Sequence, residues 1–288
     1  MTMTANTAVP GIDDQEIAVP ATAAAINRHL VALDVDGTLV DHDGNMSSGV
    51  RNAARAVVDA GNEVILATGR SLGAVLPIVE RIGLERGFAV CSNGGVTLRL
   101  DPSLERGYEI TERVTFSPRA ALNTLRAKVP GARFALEDAN GNFLSTSRFQ
   151  DASFGIEAQG VDFARLLDAE AVRVVVNSAE ASMEDFSAAI EAAGLHGVTY
   201  AVGWSAWLDI AANGVTKATA LEKLRARLGI HPALTVAVGD GSNDIEMLRW
   251  AGRGVAMGQA DAGVRAAANE VTGSVYDDGA ATVLRSLL

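Results

Sequence analysis

The stretch Leu30-Val-Ala-Leu-Asp-Val-Asp-Gly-Thr-Leu-Val40 determines how the rest of the chain is organised. It begins with an apolar run of strand length, and this run ends in Asp34 and Asp36, followed by Gly37. Because side chains alternate along an extended chain, the two carboxylates point to the same side of the strand end. At ~4 Å and an effective dielectric near 20 their repulsion is on the order of 4 kcal/mol, which favours a bound cation, a shared proton or exposure to solvent.

A simpler interpretation of this stretch is a solvated turn, since Asp, Gly and Thr are common in turns. Three other segments of the chain favour a functional site. Thr68-Gly69-Arg70 follows an apolar strand and opens a helix, so that a hydroxyl and free backbone amides are available to a phosphate. Lys217 lies in the first turn of a predicted helix, where the helix dipole disfavours a cation. Asp240, Asn243 and Asp244 follow another apolar strand.

Each of these residues also has a structural alternative. In this alternative, Thr68 caps its helix, Lys217 is an ordinary solvated lysine, and Asp244 complements a helix dipole. The polar turn 41–48 resembles a calcium loop, but it lacks the required glycine and glutamate, and we reject calcium there. Cys91 is expected to be a small core residue, because no partner base lies near it in the sequence.

The composition indicates a large globular protein rather than a nucleic-acid or membrane protein. The chain has 288 residues, of which 48% are hydrophobic and 20% charged, and its formal net charge is −11. Nucleic acids and anionic membranes bind clustered Lys and Arg, and the sequence has no basic run. No apolar stretch has the length of a membrane span. One cysteine excludes an internal disulfide, and four scattered histidines give no zinc-ligand spacing, so we expect a cytoplasmic protein.

The order of predicted elements divides the chain into a tail, a core and an insert. Residues 1–27 are rich in Ala and Thr and lack the basic start of a signal peptide, so we expect a flexible N-terminal tail. Residues 28–95 and 208–288 alternate strands with helices, which predicts an α/β core with a Rossmann-like parallel sheet. Residues 96–207 have shorter segments, which indicates an inserted α+β module.

Two features inside this module bear on its structure and role. Asn140-Gly141 stands between two strand-like segments and predicts a β-hairpin. Trp204 and Trp207 are candidates for lining a substrate cleft, although buried aromatic residues are more often part of a core.

The polar strand ends are expected to meet and to form a magnesium site. Parallel strands with right-handed crossovers bring their carboxyl ends to one edge of the sheet. Several carboxylates with one lysine make a poor anion site until a hard divalent cation joins them, and oxygen ligands without a Cys or His cluster suit Mg²⁺. If Mg²⁺, Lys217 and the Thr68 hydroxyl face one point, the expected ligand is the phosphoryl group of a small metabolite.

Four separated motifs resemble those of the haloacid dehalogenase-like superfamily. In order, they are Asp34-x-Asp36-Gly-Thr-Leu-Val, Thr68-Gly-Arg70, Lys217 and Gly239-Asp240-Gly-Ser-Asn-Asp244, with a large insert between the second and the third. Two later runs are similar to those of the Cof-type branch with a subclass IIB cap: Ile245-Glu-Met-Leu and Gly254-Val-Ala-Met-Gly258. The resemblance covers the core on both sides of the insert, and it implies that the insert, residues 96–207, is an α+β cap that selects the substrate.

This resemblance implies chemical roles for the motif residues. Asp34 would attack phosphorus and form an aspartyl-phosphate, and Asp36 would protonate the leaving oxygen and later deprotonate water. Lys217 and Thr68 would hold the phosphoryl oxygens. Asp34, Asp240 and the carbonyl of Asp36 would bind Mg²⁺. Family members that cleave carbon–halogen bonds lack an acid at the second position, so Asp36 favours a phosphatase.

The remaining motif residues have less defined roles. Asp244 would either bind the metal through water or orient Lys217, and the sequence leaves both open. Asn243 is a candidate for substrate or phosphate contact, and Gly69 would offer its backbone amide to a phosphate. Gln259 stands where the branch usually has Asn, which is expected to affect the bonding of its loop rather than the chemistry.

The sequence therefore predicts a Mg²⁺-dependent phosphatase that acts on a sugar phosphate or a cofactor-type phosphate. One alternative is a phosphomutase, which would depend on a bisphosphate activator and release no net phosphate. A second alternative is a non-catalytic protein that binds a phosphorylated ligand. The retained acidic residues and Lys217 disfavour the second alternative. The sequence does not indicate the oligomeric state.

Overall fold

The computed structural model describes residues 28–129, 131–147, 157–203 and 206–288. The predicted tail at residues 1–27 and the candidate cleft residue Trp204 lie outside these described residues. Two β-sheets are formed, one of eight strands and one of six. Among the helices of the described ranges, none combines the length and the apolar character that crossing a membrane requires.

Strands and helices alternate in the first and last parts of the described chain, whereas its middle part contains consecutive strands. The strands are β1 (Leu30–Leu33), β2 (Glu63–Ala67), β3 (Gly87–Cys91), β4 (Val96–Leu100), β5 (Tyr108–Arg113), β6 (Arg133–Asp138), β7 (Phe143–Ser145), β8 (Gln159–Gly160), β9 (Ala171–Asn177), β10 (Val198–Val202), β11 (Trp207–Ala212), β12 (Thr235–Gly239), β13 (Arg253–Ala256) and β14 (Glu270–Val271). The α-helices are α1 (Ser48–Asp59), α2 (Leu72–Ile82), α3 (Arg119–Lys128), α4 (Phe163–Leu167), α5 (Met183–Ala193), α6 (Lys217–Arg227), α7 (Ile245–Trp250), α8 (Ala262–Ala267) and α9 (Gly279–Arg285).

The eight-stranded sheet has β1 near its centre and helices on both faces. Its order is β14-β13-β12-β1-β2-β3-β4-β5. The strands from β14 to β3 are parallel, and β4 and β5 are antiparallel to their neighbours. Val31 and Leu33 pack with residues of α1, α2 and α9, whereas Leu30 and Ala32 pack with residues of α6, α7 and α8. Because helices cover both faces of this sheet, its strands are apolar along their whole length. This arrangement confirms the predicted α/β fold.

The six-stranded sheet forms the larger part of the insert. Its order is β10-β11-β9-β6-β7-β8, and α3, α4 and α5 pack on one of its faces. The hairpin predicted at Asn140-Gly141 joins β6 to β7, and Gly141 has a φ of +83°. The other face of this sheet lies above the carboxyl edge of the larger sheet, because Arg173, Trp207 and Asp209 line the same cleft as Asp34.

Sheet membership differs from the predicted cap boundaries, 96–207, at both ends. Strands β4 and β5 fall within that range, yet they extend the larger sheet beyond β3. Strand β11 continues past residue 207 to Ala212 as part of the smaller sheet. The alternation in Val96-Thr-Leu-Arg-Leu100 is typical of an antiparallel strand, and the sequence does not show which sheet such a strand joins. We propose that the cap runs from Val114 to Ala212.

Candidate active site

The carboxyl ends of three neighbouring strands bring the predicted site residues together. Asp34 follows β1, Thr68 follows β2 and Asp240 follows β12, and β1 pairs in parallel with both neighbours. These residues line a cleft of about 400 Å³ between the sheet edge and the cap. Of the other predicted site residues, three also line this cleft: Asp36, Gly69 and Asn243. The remaining two, Lys217 and Asp244, are buried and contact each other.

The ammonium group of Lys217 lies between two buried carboxylates. Its Nζ donates hydrogen bonds to Asp34 Oδ1 and to Asp244 Oδ1, each at 2.7 Å. Burial lowers the pKa of Lys217, but the charges of Asp244 and Asp34 raise it by more, so the net pKa lies above the ordinary value. Lys217 is therefore a cation, and its two partners outweigh the unfavourable dipole at the start of α6.

The carboxylates of Asp34, Asp240 and Asp244 form one buried cluster. Ligand oxygens of the three residues lie within 4.8 Å of one another. Burial, followed by the charge of Asp244, raises the pKa of Asp34 well above its ordinary value. The same two causes raise the pKa of Asp240 to about 7. Three carboxylates against one lysine leave an excess of buried negative charge, which a divalent cation would neutralise.

The hydrogen bonds show which oxygens of this cluster are available to a metal. Asp34 accepts from Lys217 with Oδ1, and Asp240 accepts from Gln259 with Oδ2, so each has a second oxygen that accepts no hydrogen bond from the described residues. Asp244 uses both oxygens, because Oδ2 accepts from the amides of Asp240 at 3.0 Å and Gly241 at 2.9 Å. Carboxylate oxygens are hard ligands that suit a hard divalent cation, and Asp34 and Asp240 have such oxygens available.

The carboxylate of Asp36 is directed to Arg70. Arg70 Nε donates to Asp36 Oδ2 at 2.9 Å, and Arg70 Nη2 donates to Asp36 Oδ1 at 2.6 Å. The side chain of Asp36 is 56% exposed, so it faces the open cleft rather than the buried cluster. Any contact of this residue with a metal held by Asp34 and Asp240 would therefore involve its backbone carbonyl. Sequence analysis quoted Arg70 in a motif but assigned it no role.

The turn that follows β3 connects three segments of the site. The amide of Asn93 donates to the carbonyl of Thr68 at 3.0 Å, and the amide of Ser92 donates to the carbonyl of Arg70 at 2.8 Å. Asn243 Nδ2 donates to Asn93 Oδ1 at 2.9 Å. Ser92 and Asn93 have φ values of 50° and 54°, which are costly for residues with a side chain and persist where contacts hold them. Sequence analysis assigned no role to Ser92 and Asn93.

Thr68 and Gly69 present small polar groups to the cleft. Thr68 Oγ1 accepts a hydrogen bond from the amide of Arg70 at 3.1 Å, which leaves its O–H free to donate to a phosphoryl oxygen. A Cβ on Gly69 would lie 3.2 Å from Asn93 Oδ1, so a larger residue would crowd the turn after β3. Both residues therefore line the cleft, and their contact with a phosphate stays a prediction.

Gln259 links the acidic cluster to the C-terminal part of the chain. Its Nε2 donates to the carbonyl of Gly37 at 2.6 Å and to Asp240 Oδ2 at 3.0 Å. Its Oε1 accepts from the amide of Val275 at 3.0 Å. The residue was expected to affect only its own loop. The structure instead places it in direct contact with Asp240.

Gly37 allows the turns after β1 and β12 to approach each other closely. It has a φ of +78°, and a Cβ there would lie 1.9 Å from Asp240 Oδ2. We expect Gly37→Ala to displace Asp240 and to lower kcat by about 100-fold, because small displacements at a reacting centre have effects of that size. Steady-state kinetics with p-nitrophenyl phosphate would measure the change.

Gly44→Ala is the matched control for this prediction. Gly44 also has a φ of +78°, but a Cβ there would meet nothing within 4 Å. Both substitutions introduce the same backbone strain, and only Gly37→Ala introduces the clash. Equal losses of activity in the two variants would contradict the proposed packing role of Gly37.

A capped parallel sheet with buried carboxylates and a lysine at its carboxyl edge defines an α/β enzyme with an acidic active site. Comparison with known proteins identifies the family. The family model described as haloacid dehalogenase-like hydrolase matches residues 31–284. The chain belongs to the haloacid dehalogenase-like hydrolase family, which confirms the predicted resemblance, and it is therefore a hydrolase.

Individual relatives cover nearly the whole chain. A phosphoglycolate phosphatase of Methanoculleus marisnigri is 30% identical over 252 residues, which are 85% of this chain and 91% of that protein. The pyridoxal phosphate phosphatase YbhA of Escherichia coli is 28% identical over 279 residues, which are 91% of this chain and 100% of that protein. The solved structure of the HAD subclass IIB sugar phosphatase BT4131 is 23% identical, has a TM-score of 0.75 and covers 90% of this chain and 100% of its own. This last similarity supports the fold, including the cap.

Proposed function

We propose that the protein is a Mg²⁺-dependent phosphomonoesterase that hydrolyses a small phosphorylated metabolite, such as a sugar phosphate or a cofactor-type phosphate. The observation that carries the proposal is the contact of Lys217 with Asp34 beside Asp240 at the sheet edge. A carboxylate nucleophile, a buried cation and metal-ligating oxygens are the parts that phosphoryl transfer requires. The phosphatase names of the relatives support the same reaction.

In the first step, an oxygen of Asp34 attacks phosphorus while the bond between phosphorus and the leaving oxygen breaks. Asp36 turns away from Arg70, takes up a proton from solvent and gives this proton to the leaving oxygen, so that the product leaves as an alcohol. Lys217 has three N–H donors, of which Asp34 and Asp244 use two, and we assign the third to a phosphoryl oxygen. The Thr68 hydroxyl donates to another phosphoryl oxygen.

In the second step, water attacks the phosphorus of the aspartyl-phosphate. Asp36 takes a proton from the water, and the bond between phosphorus and Asp34 breaks. Inorganic phosphate leaves, and Asp36 releases its proton to solvent and pairs with Arg70 again, so both aspartates return to their starting forms. The balance is one phosphate ester and one water consumed for one alcohol and one phosphate released.

Asp34, Asp240 and the carbonyl of Asp36 would hold Mg²⁺, which when bound supplies positive charge opposite the phosphoryl oxygens. We assign Asp244 to orienting Lys217 and the turn after β12, because both of its oxygens already accept hydrogen bonds. Among the remaining predicted residues, we assign Asn243 and the amide of Gly69 to contacts with the phosphate.

Release of inorganic phosphate from a broad panel of phosphorylated metabolites and p-nitrophenyl phosphate tests the proposal. We expect turnover in Mg²⁺ and none after treatment with EDTA. A magnesium-loaded protein that releases no phosphate from any ester would refute the proposal. Transfer that needs a sugar bisphosphate and releases no net phosphate would identify a phosphomutase instead.

Binding of Mg²⁺ is expected to be visible in thermal unfolding as well as in activity. At about 100 times its Kd, a ligand stabilises the folded state by ~2.7 kcal/mol, or about 5–10 °C in a protein of this size. We expect Asp240→Asn to abolish this Mg²⁺-dependent rise in the thermal midpoint. The metal-free variant should be at least as stable as the metal-free wild type, because one of three crowded carboxylates is gone. Differential scanning fluorimetry in Mg²⁺ and in EDTA measures both quantities.

Asp43→Asn serves as the control for this metal titration. Asp43 is an exposed acidic residue in the turn after β1, so its loss should leave the Mg²⁺-dependent rise unchanged. A rise that persists in Asp240→Asn would show that the ion binds elsewhere.

A further inference from the structure

Two strands of the cap carry a charged residue within an apolar run. Arg173 precedes Val174 in β9, and Asp209 lies between Leu208 and Ile210 in β11. The apolar neighbours pack against the helices of the cap. Because side chains alternate along a strand, Arg173 and Asp209 face the opposite side, where both line the cleft above the catalytic edge. The cap therefore presents charged groups to the same cleft that Asp34 lines.

The carboxylate of Asp209 is fixed by two donors from the cap. Arg173 Nε donates to its Oδ1 at 2.5 Å, and Trp207 Nε1 donates to its Oδ2 at 3.1 Å. The side chain of Arg173 is 3% exposed, whereas that of Asp209 is 16% exposed. Each carboxylate oxygen has a second acceptor position, so a rigid Asp209 is able to accept hydrogen bonds from two neighbouring hydroxyl groups.

An apolar surface lies beside this carboxylate. Trp207, Val202 and Met183 line the same cleft. A sugar or polyol chain carries C–H groups between its hydroxyl groups, and these C–H groups pack favourably on an indole ring and aliphatic side chains. Acceptors next to an apolar wall thus match a hydroxylated carbon chain.

The charges of the cleft oppose an anionic leaving group. The described residues that line it include five aspartates and two arginines. Both arginines are already paired, Arg70 with Asp36 and Arg173 with Asp209. A carboxylate or second phosphate on the leaving group would approach Asp209 without a further cation among these lining residues. Like charges brought together at a binding surface discriminate strongly against the wrong partner.

We infer that Asp209, positioned by Arg173 and Trp207, forms a subsite for an uncharged, hydroxyl-bearing leaving group and rejects leaving groups that carry a carboxylate or a second phosphate. The inference rests on the proposed phosphatase activity and specifies its substrate class. It also separates this chain from its relative named a phosphoglycolate phosphatase, since glycolate is an anion. The subsite belongs to the cap, so it selects the alcohol and leaves the phosphoryl group to the core.

The first test compares substrates of the wild-type enzyme. p-Nitrophenyl phosphate reports whether phosphatase chemistry occurs at all. Among natural esters, we expect kcat/KM for the best neutral sugar or polyol monophosphate to exceed that for phosphoglycolate and for sugar bisphosphates by at least ~100-fold. A preference for phosphoglycolate or a bisphosphate would overturn the inference and leave the proposed function intact. Absence of turnover with every ester, p-nitrophenyl phosphate included, would overturn both.

The second test changes the subsite. In Asp209→Asn we expect the ratio of kcat/KM for the best polyol phosphate to that for p-nitrophenyl phosphate to fall by about 10- to 100-fold, the effect of losing a charge-assisted hydrogen bond. The ratio of phosphoglycolate to polyol phosphate should rise, because an anionic group has been removed. Unchanged ratios in a folded variant would overturn the inference.

Two further variants complete this test. Trp207→Phe keeps an aromatic ring but removes the donor to Asp209. It should lower the ratio of kcat/KM for the polyol phosphate to that for p-nitrophenyl phosphate by about 3- to 10-fold. This variant tests the subsite independently if Asp209→Asn folds poorly. Asp168→Asn changes an exposed cap aspartate that pairs with Arg119, and it should leave both ratios at the wild-type value. A thermal midpoint recorded for each variant separates loss of recognition from loss of folding.

Discussion

Replacing Asp34 with asparagine is expected to lower kcat for p-nitrophenyl phosphate by at least ~1,000-fold while the protein stays folded. The amide is a poor nucleophile, so the aspartyl-phosphate does not form and neither displacement takes place. The side chain is nearly the same size, and it keeps an oxygen that accepts from Lys217. Steady-state kinetics in saturating Mg²⁺ measure the loss.

The same substitution also tests where the phosphoryl group is held. After rapid acid quench, mass spectrometry should find one phosphoryl group on the wild-type peptide that contains Asp34 and none on the Asp34→Asn peptide. Asp59→Asn, which changes an exposed aspartate at the end of α1, should keep full activity. Activity of Asp34→Asn within tenfold of the wild type would rule out Asp34 as the nucleophile.

Lys217→Met is expected to cause the largest combined loss of activity and stability. The substitution leaves Asp34 and Asp244 buried next to each other without the cation that contacts both. Removing one partner of a buried ion pair costs about 3–5 kcal/mol, because the remaining charge has neither water nor a counter-ion. Urea unfolding followed by circular dichroism, with EDTA present, measures the change in the free energy of unfolding.

Lys223→Met is the matched control for this stability measurement. Lys223 lies on the same helix, α6, and pairs with Glu112, but its side chain is 60% exposed. An exposed pair contributes about 0–1 kcal/mol, so this variant should unfold close to the wild type. The double variant Lys217→Met/Asp244→Asn should recover part of the stability and none of the activity. Equal stabilities of Lys217→Met and Lys223→Met would contradict the buried ion-pair arrangement.

The strands of the core and the polar residues at their ends were predictable because both depend on local sequence. Apolar runs of four or five residues give buried strands, and β–α alternation requires parallel pairing. Asp34, Thr68 and Asp240 therefore meet at one edge, as the structure shows. Lys217 was recognisable as a candidate site residue because a cation at a helix start is unfavourable without a local partner.

The limits of the cap could not be predicted from the same patterns. Strand β4 alternates polar and apolar residues as a cap strand would, and β5 is only partly buried. Whether such strands extend one sheet or start another depends on which edge is open to receive them, and this is a property of the folded chain.

The side-chain partners that tune the site were also outside the reach of sequence analysis. Gln259 contacts Gly37 across 222 positions of the chain, and Lys217 contacts Asp34 across 183. Arg173 and Asp209 could have been noticed as charges inside apolar strands, but their pairing could not. A hydrogen bond forms between groups that packing brings within about 3 Å, and no local pattern encodes that distance.

The order of amino acids alone specified the parallel core, the acidic strand ends and the family, since hydrophobic periodicity and short motifs act over a few residues. Tertiary structure decided the direction of the Asp36 carboxylate toward Arg70, the contact of Gln259 with Asp240 and the orientation of Asp209 into the cleft. The physical reason is that each of these features depends on two distant segments docking at one place, where burial and charge then select the partners.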